Sequence, residues 1–459
     1  MMRSLFSGVA GLKTHQTKMD VIGNNIANVN TVAYKSQSVT FQELMYQTTQ
    51  NASGANADTG RAGVNAKQIG LGVTTGAINT SITTAGASQT TGNPFDIQIK
   101  GDSFFIVSDG SNNYFTRAGA FYVDGVGNLA MTSNGYTVMG WQEDESNPGT
   151  IRKDTVSPLK IMTAENMESE PEQTTAAYLS GVIDKNSEQL TSTDGVIVNV
   201  SIYDTLGYSY IAKFGIKSTT TAGEYDITPL DLIDSNGFSL MHKSDEPGYE
   251  KTGYDKANPP YTSAASMVLD VTKLTYDTTT GANTNDEAGL TLTIGGSVAA
   301  TFPSTINIAV DTTTMYDNKG TSTIKGTAGN YDGNYAGRKM GSMSGVAIST
   351  DGKITASYDN GTTKLLGQIA VASFANPSGL EKAGDNLYTE TQNSGAFDGI
   401  GEDVTAGSGS MSTGVLEMSN VDLSAEFTDM ITTQRGFQAN SRIITVSDSM
   451  LEELTNLKR

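Results

Sequence analysis

Cysteine is absent from the 459 residues, so disulfides, thiolate metal sites and a cysteine nucleophile are excluded together. Cohesion must come from packing. Histidine is scarce: His15 and His242 stand far apart with no partner at ligand spacing, which leaves a His-based metal site or triad without its parts. Each reads as a solvated or packed ring. Charge is thin, at 17% of residues against a usual figure of about 25%. Most of it is negative, 49 Asp+Glu against 29 Lys+Arg for a net charge of -20, which argues against nucleic-acid partners because displacing counterions needs clustered cations. No window approaches the roughly 20 apolar residues of a membrane helix, so no membrane insertion is expected. The start, Met1 to Leu12, resembles a short signal peptide until Lys13 interrupts it. A route out of the cell, if the chain takes one, is therefore expected to leave this end uncleaved.

What is present is length for about three domains, 50 glycines, and a helical pattern confined to the two ends. Leu5, Val9, Leu12, Met19, Ile22 and Ile26 recur at three-, four- and seven-residue steps, the period of one helix face. Asn24, Asn25, Asn28 and Asn30 then weaken the helix, which should end there. At the other end Leu423, Met430, Phe437, Ile444 and Leu451 form a seven-residue column. Phe427, Ile443, Met450, Leu454 and Leu457 lie beside it, and Ser419 to Asp422 supply cap chemistry. Gln434 and Ser441 fall on the same stripe as polar positions able to fix register. The ends also differ in sign. Arg3, Lys13, Lys18 and Lys35 oppose Asp20, whereas Glu417, Asp422, Glu426, Asp429, Asp448, Glu452 and Glu453 outnumber Arg435, Arg442, Lys458 and Arg459. Two thin helices bury only part of their stripes against each other, so neighbouring copies are expected to cover the rest.

Between the ends the text turns to strands. Asp96–Ile99, Phe104–Val107, Phe121–Val123 and Tyr136–Met139 are broken by Asp109-Gly110, Asp124-Gly125 and Asn134-Gly135, which are hairpin signals. Similar text returns at Lys353–Tyr358 and Leu365–Val371. The clearest strand of the middle region is Val196–Tyr203, closed by the turn Asp204–Gly207. No catalytic, cofactor or metal residue emerges. In Gly70-Leu71-Gly72-Val73-Thr74-Thr75-Gly76 the third glycine comes one residue late for a dinucleotide loop, and no βαβ pattern surrounds it. A P-loop, a nucleophile elbow and EF-hand spacing are all missing, and the Asp/Asn-Gly pairs read as turns.

Ser7–Leu12 with Asp20–Thr31, and Gly414–Leu423 with Met430–Arg442, resemble the amino- and carboxyl-terminal signatures of bacterial flagellar rod and hook proteins. Gln68–Val73, Gly101–Phe105, Tyr114–Gly119, Gly140-Trp141 and Asn376–Leu380 extend the resemblance to roughly half the chain. The stretch from about 165 to 335 matches only at Tyr203–Gly207. Two positions depart from the family pattern: Ala33 and Ser103 stand where glycine is usual. The length and the middle insertion favour the hook over the rod.

The resemblance implies a helical tube in which paired terminal helices line a channel and the middle domain faces solvent. The expected fold is mostly β, nested and multidomain, with paired long terminal α-helices forming a coiled coil. Residues 1–40 and 415–459 would form the helical domain, 41–164 and 336–414 a linker plus inner β domain, and 165–335 an outer β-rich domain of one or two parts. Leu5, Val9, Leu12, Met19, Ile22, Ile26, Leu423, Phe427, Met430, Phe437, Ile444 and Leu451 are the expected polymer interface. The implied partners are copies of itself, the flagellar rod, hook cap and hook–filament junction proteins, and the export apparatus. The expected location is the extracellular hook of the flagellum, the expected role to transmit motor torque from rod to filament. The readings kept beside it are a distal rod subunit, or a secreted β-rich glycan-binding protein or enzyme that its helices merely oligomerise.

Overall fold

The computed structural model describes residues 2–54, 60, 62–144, 146–241, 265–285, 289–296 and 299–457. His242, Lys458 and Arg459 lie outside the described residues. The chain divides into two compact units. The first holds 1–166, 346–356 and 364–459; the second holds 167–345 and 357–363.

The first unit begins with α1, Met2–Ala27, and ends with α2, Leu423–Asn456. α1 stops where the asparagines accumulate: the Asn28 N–H is shared between the Asn24 and Asn25 carbonyls, and the Asn28 side chain folds back on Asn24. Asp422 caps α2, its Oδ1 accepting the Ser424 and Ala425 N–H groups at 2.8 and 3.3 Å. After α1 come two antiparallel ladders, β1 (Gln37–Glu43) with β4 (Val73–Thr80), and β2 (Tyr46–Gln50) with β3 (Lys67–Gly70). The Gly70–Gly76 segment is thus the end of β3, a two-residue link and the start of β4. Gly72 has φ +126°, and a Cβ on it would sit 3.2 Å from Ala10 Cβ on α1, so glycine is what lets the ladder reach the helix.

β5 (Ser88–Thr90) and β6 (Ile97–Lys100) each receive a strand from the far end of the chain: Val415–Glu417 pairs with β5 and Ser410–Thr413 with β6. β7 (Phe104–Ser108), β8 (Asn113–Thr116), β9 (Phe121–Val123), β10 (Leu129–Met131) and β11 (Thr137–Gln142) follow as hairpins. Asp109 Oδ1 accepts the Ser111 and Asn112 N–H groups, and Asn134 Oδ1 accepts that of Tyr136, so both dipeptides turn as expected. At Asp124 the left-handed residue is Gly127 (φ +94°) and not Gly125, because Asp124 Oδ1 reaches on to the Asn128 N–H and lengthens the loop. β7 lies between β8 and β11, and Thr363–Ile369 flanks β11 on its other side. The core beneath is Ile82, Phe104, Ile106, Phe115, Trp141 and Tyr388, with Phe104 and Phe115 both edge-on to Phe374.

The second unit contains two sheets over one core. Val196–Tyr203, Ser209–Ser218, Glu224–Asp234 and Lys273–Thr275 run antiparallel in one. The other centres on Ala176–Ile183, which pairs parallel with Ile306–Ala309 and Thr313–Met315. Val196, Val198, Val200 and Ile202 point inward and Ile197, Asn199 and Ser201 outward, so the period-two reading extends along the strand. Leu179, Phe214, Ile227, Leu292 and Ile308 join them in a single buried cluster.

Candidate functional site

The two terminal helices pack antiparallel within the first unit. Ser4 meets Ser447, Gly8 lies against Ile444 and Asn440, Gly11 against Asn440, His15 against Gly436, Lys18 pairs with Asp429 at 3.3 Å, and Asn25 bonds Glu426 at 2.8 Å. The closest contacts of the seam are therefore mostly small and polar, with Ile444 and Ile443 beside Gly8. A Cβ on Gly11 would come within 2.6 Å of Asn440 Nδ2, and one on Gly436 within 2.8 Å of the His15 ring. Three interior glycines in α1 each lower helix propensity by about 1 kcal/mol, and two of them, Gly8 and Gly11, give back close approach.

On α2 the column Met430, Phe437, Ile444 and Leu451 is half-buried. Its alternating neighbours toward α1 are Glu426, Thr433, Asn440 and Ser447, of which Thr433 and Ser447 are fully buried. Of the two polar positions on the apolar column, Ser441 is half-buried and Gln434 is exposed. Of the expected interface residues, Ile22 is buried at 3% exposure, and Leu5, Leu12, Met19 and Ile26 are half-buried. Val9, Leu423 and Phe427 lie at the surface. With them on the outside stand Phe6, Ile431 (54% exposed), Ile443, Val446 (56%), Met450, Leu454 and Leu457. Single exposed hydrophobes are ordinary; here they recur along two neighbouring helices. His15 is held edge-on to Phe41 of β1 at 5.4 Å, and burial together with nearby Lys18 lowers its pKa.

Where the helices leave the β core the chain has buried three charges. Lys35, Arg117 and Glu417 are each about 1% exposed. Glu417 Oε1 accepts from Lys35 Nζ at 2.7 Å and from the Gly86 N–H at 3.0 Å; Oε2 accepts from Arg117 Nε at 3.3 Å. Lys35 Nζ also donates to Thr84 O, and Arg117 Nη1 to the carbonyls of Gly101 and Ser103. Burial pushes the Glu417 carboxyl up, but Arg117 and then Lys35 outweigh it and hold it below the usual carboxylate value. Burial pulls Lys35 down and Arg117 repels it, and Glu417 with a weaker contribution from Asp102 only partly offsets this.

Two motif residues belong to this network and a third lies beside it. Arg117 is the network's second cation, Gly101 (φ +130°) presents its carbonyl to it, and Gly119 could not carry a Cβ without striking Ile97 O. It also separates the two departures from the family pattern. Ala33 adopts φ +58°, a conformation glycine enters more easily, while Ser103 does not, so serine costs nothing there.

Asn25 is the other residue that periodicity alone does not find. Fully buried in the last turn of α1, it accepts the Gln37 N–H and the Tyr34 hydroxyl and donates to Gln37 O and Glu426 Oε1. It thereby replaces a strand partner for Gln37 and ties α1 to α2 at once. Among the described residues no His, Cys, Asp or Glu group has the makings of a metal site, and no helix is long and apolar enough to cross a membrane.

Three family models match: "Flagella basal body rod protein" over residues 5–35, "Flagellar hook protein FlgE/F/G D1 domain" over 98–169, and "Flagellar basal body rod FlgEFG protein C-terminal" over 412–457. Each matched segment donates one member of the charge network. The chain is 38% identical to the flagellar hook protein FlgE of Borreliella burgdorferi and 34% identical to that of Treponema pallidum, in both cases over all of each chain. It is 29% identical to the flagellar basal-body rod protein FlgG of Bacillus subtilis, again over both full lengths. The crystal structure of the Helicobacter pylori flagellar hook protein FlgE2 aligns with a TM-score of 0.40 and 14% identity, over 70% of this chain and 98% of that one.

Proposed function

The chain belongs to the family of flagellar hook proteins, and from that premise we propose that its copies stack into the hook through the apolar faces that α1 and α2 turn outward. It is a structural subunit of the hook. The observation that carries the contact assignment is the inversion of the helix pair: glycine, serine, asparagine and threonine make most of the closest contacts between α1 and α2, with Ile444 the large residue among them, while Phe427, Ile431, Val446 and Met450 are exposed. An isolated pair would place its large apolar residues in the seam, because burial there is the main source of stability. Here the larger burial is left for neighbouring subunits.

On this reading the expected residues Leu5, Val9, Leu12, Met19, Ile22, Ile26, Leu423, Phe427, Met430, Phe437, Ile444 and Leu451 divide by their exposure. Val9, Leu423 and Phe427, exposed in the single chain, would face other copies; Ile22 is already buried within the chain, and the half-buried remainder would flank the helix pair and complete its burial there. The tube would transmit torque from rod to filament. It would adjoin rod, cap and junction proteins at its ends, receive subunits through the export apparatus and stand outside the cell. The role calls for no catalytic residue. A rod assignment is less favoured, since both hook relatives are more similar than the rod relative.

Electron microscopy of concentrated, purified full-length chain tests the reading. Helical tubes of uniform diameter are expected. Closed oligomers of fixed size across concentration and salt would refute it.

A further inference from the structure

Residues 415–420 form a strap whose bonds run to both sides. Val415–Glu417 pairs with β5, and the Met418 N–H donates to Ala87 O at 2.8 Å. The Ala33 N–H donates to Glu417 O at 2.8 Å, and the Ser36 N–H to Asn420 Oδ1 at 2.8 Å. Asn420 Nδ2 in turn donates to Ser81 O and Thr84 O at 3.0 and 3.1 Å. The fit is close, for a Cβ on Gly86 would stand 1.8 Å from Met418 O. The strap therefore stitches segment 33–36 to loop 81–87.

Beneath it lie the two buried cations. Lys35 and Arg117 repel one another, and of the groups that face them Asp102 is exposed and makes no bond to either, while Tyr34 and Tyr388 are phenols whose burial keeps them protonated at neutral pH. Glu417 is the one carboxylate among the described residues that touches both. It lies 382 residues from Lys35 and 300 from Arg117, so in a chain that emerges amino end first both cations precede their counter-ion. Without it, closing this region would strip water from two like charges with no anion between them.

We infer that the strap is a latch: residues 33–37, 81–87 and 415–420 close over the β core as one separable unit, and Glu417 permits closure by neutralising Lys35 and Arg117 together. The latch then orients both helices. Asp422, the cap of α2, follows Asn420 by two residues, and Asn25 at the end of α1 grips Gln37 within the latched segment. This inference rests on bonds within one chain and is independent of how copies assemble.

Hydrogen exchange on the full-length soluble chain at neutral pH is the test, with Glu417→Gln as the probe. The amides of Ala33, Ser36 and Met418 should exchange roughly a hundred- to a thousandfold faster, while those of β7 keep their rates. In Lys35→Gln/Glu417→Gln one of the opposed cations is gone, and the same amides should slow again by at least about tenfold. Three results would overturn the latch: strap amides unchanged by Glu417→Gln, β7 amides accelerated equally with them, or no recovery in the double variant. Should Glu417→Gln fail to fold, recovery of the fold by the double variant supports the latch, and continued failure refutes it.

Discussion

Asn25 uses every hydrogen-bonding group of its side chain, and it does so with no exposure to water. Removing it strands the N–H and carbonyl of Gln37, so Asn25→Ala should cost about 2–4 kcal/mol, read from urea unfolding followed by the helical circular dichroism signal. A loss below about 0.5 kcal/mol would mean that water substitutes freely there. Glu417 makes a pH prediction whose sign is fixed by its partners. Its carboxyl in the folded chain lies below the ordinary value of 4.5, so the stabilisation is complete above that value and is lost as pH falls through the folded one. A pH titration of urea midpoints should show the wild-type chain weakening below about pH 4.5, and Glu417→Gln should flatten that part of the curve. An unchanged acid limb in the variant would remove Glu417 from the account.

At the scale of elements, much was legible in the text and the remainder was hidden for identifiable reasons. The Asp422 cap, the end of α1 among asparagines and the inward Val196, Val198, Val200 and Ile202 follow from local chemistry that a sequence displays. Periodicity shows that α2 has an apolar stripe but not which neighbour covers it. The answer lay in Gly8, Gly11, Gly436 and Asn440, residues that taken singly only lower helix propensity. The charge trio was invisible for a different reason: charged side chains are almost always at the surface, and these three meet across hundreds of residues. The seam predicts its own sensitivity. Gly11→Leu raises helix propensity by up to about 1 kcal/mol yet forces Asn440 aside, so a net loss of about 1–3 kcal/mol in thermal melting is expected. A more stable helix pair would show that the close approach carries no weight.

At the scale of the molecule, the second unit has a core of its own and shares no backbone with the helix pair. Polar, weakly charged surfaces suit contacts that break and reform while a tube rotates about its bend. Replacing residues 167–345 with a short linker should therefore leave a chain that still forms tubes, seen by electron microscopy with altered curvature and stiffness. Loss of all polymer would assign that unit to assembly and not to bending. The central claim is that the outward helix faces join copies while the seam joins one chain to itself. Its most direct test is Ile431→Asp with Val446→Asp, two positions more than half exposed in the single chain. Sedimentation of polymer, with a thermal melt of the soluble fraction as control, is the measurement. The account predicts no pelletable tubes and a melting temperature within about 2 °C of the unaltered chain. Tubes of normal yield from this variant would contradict it.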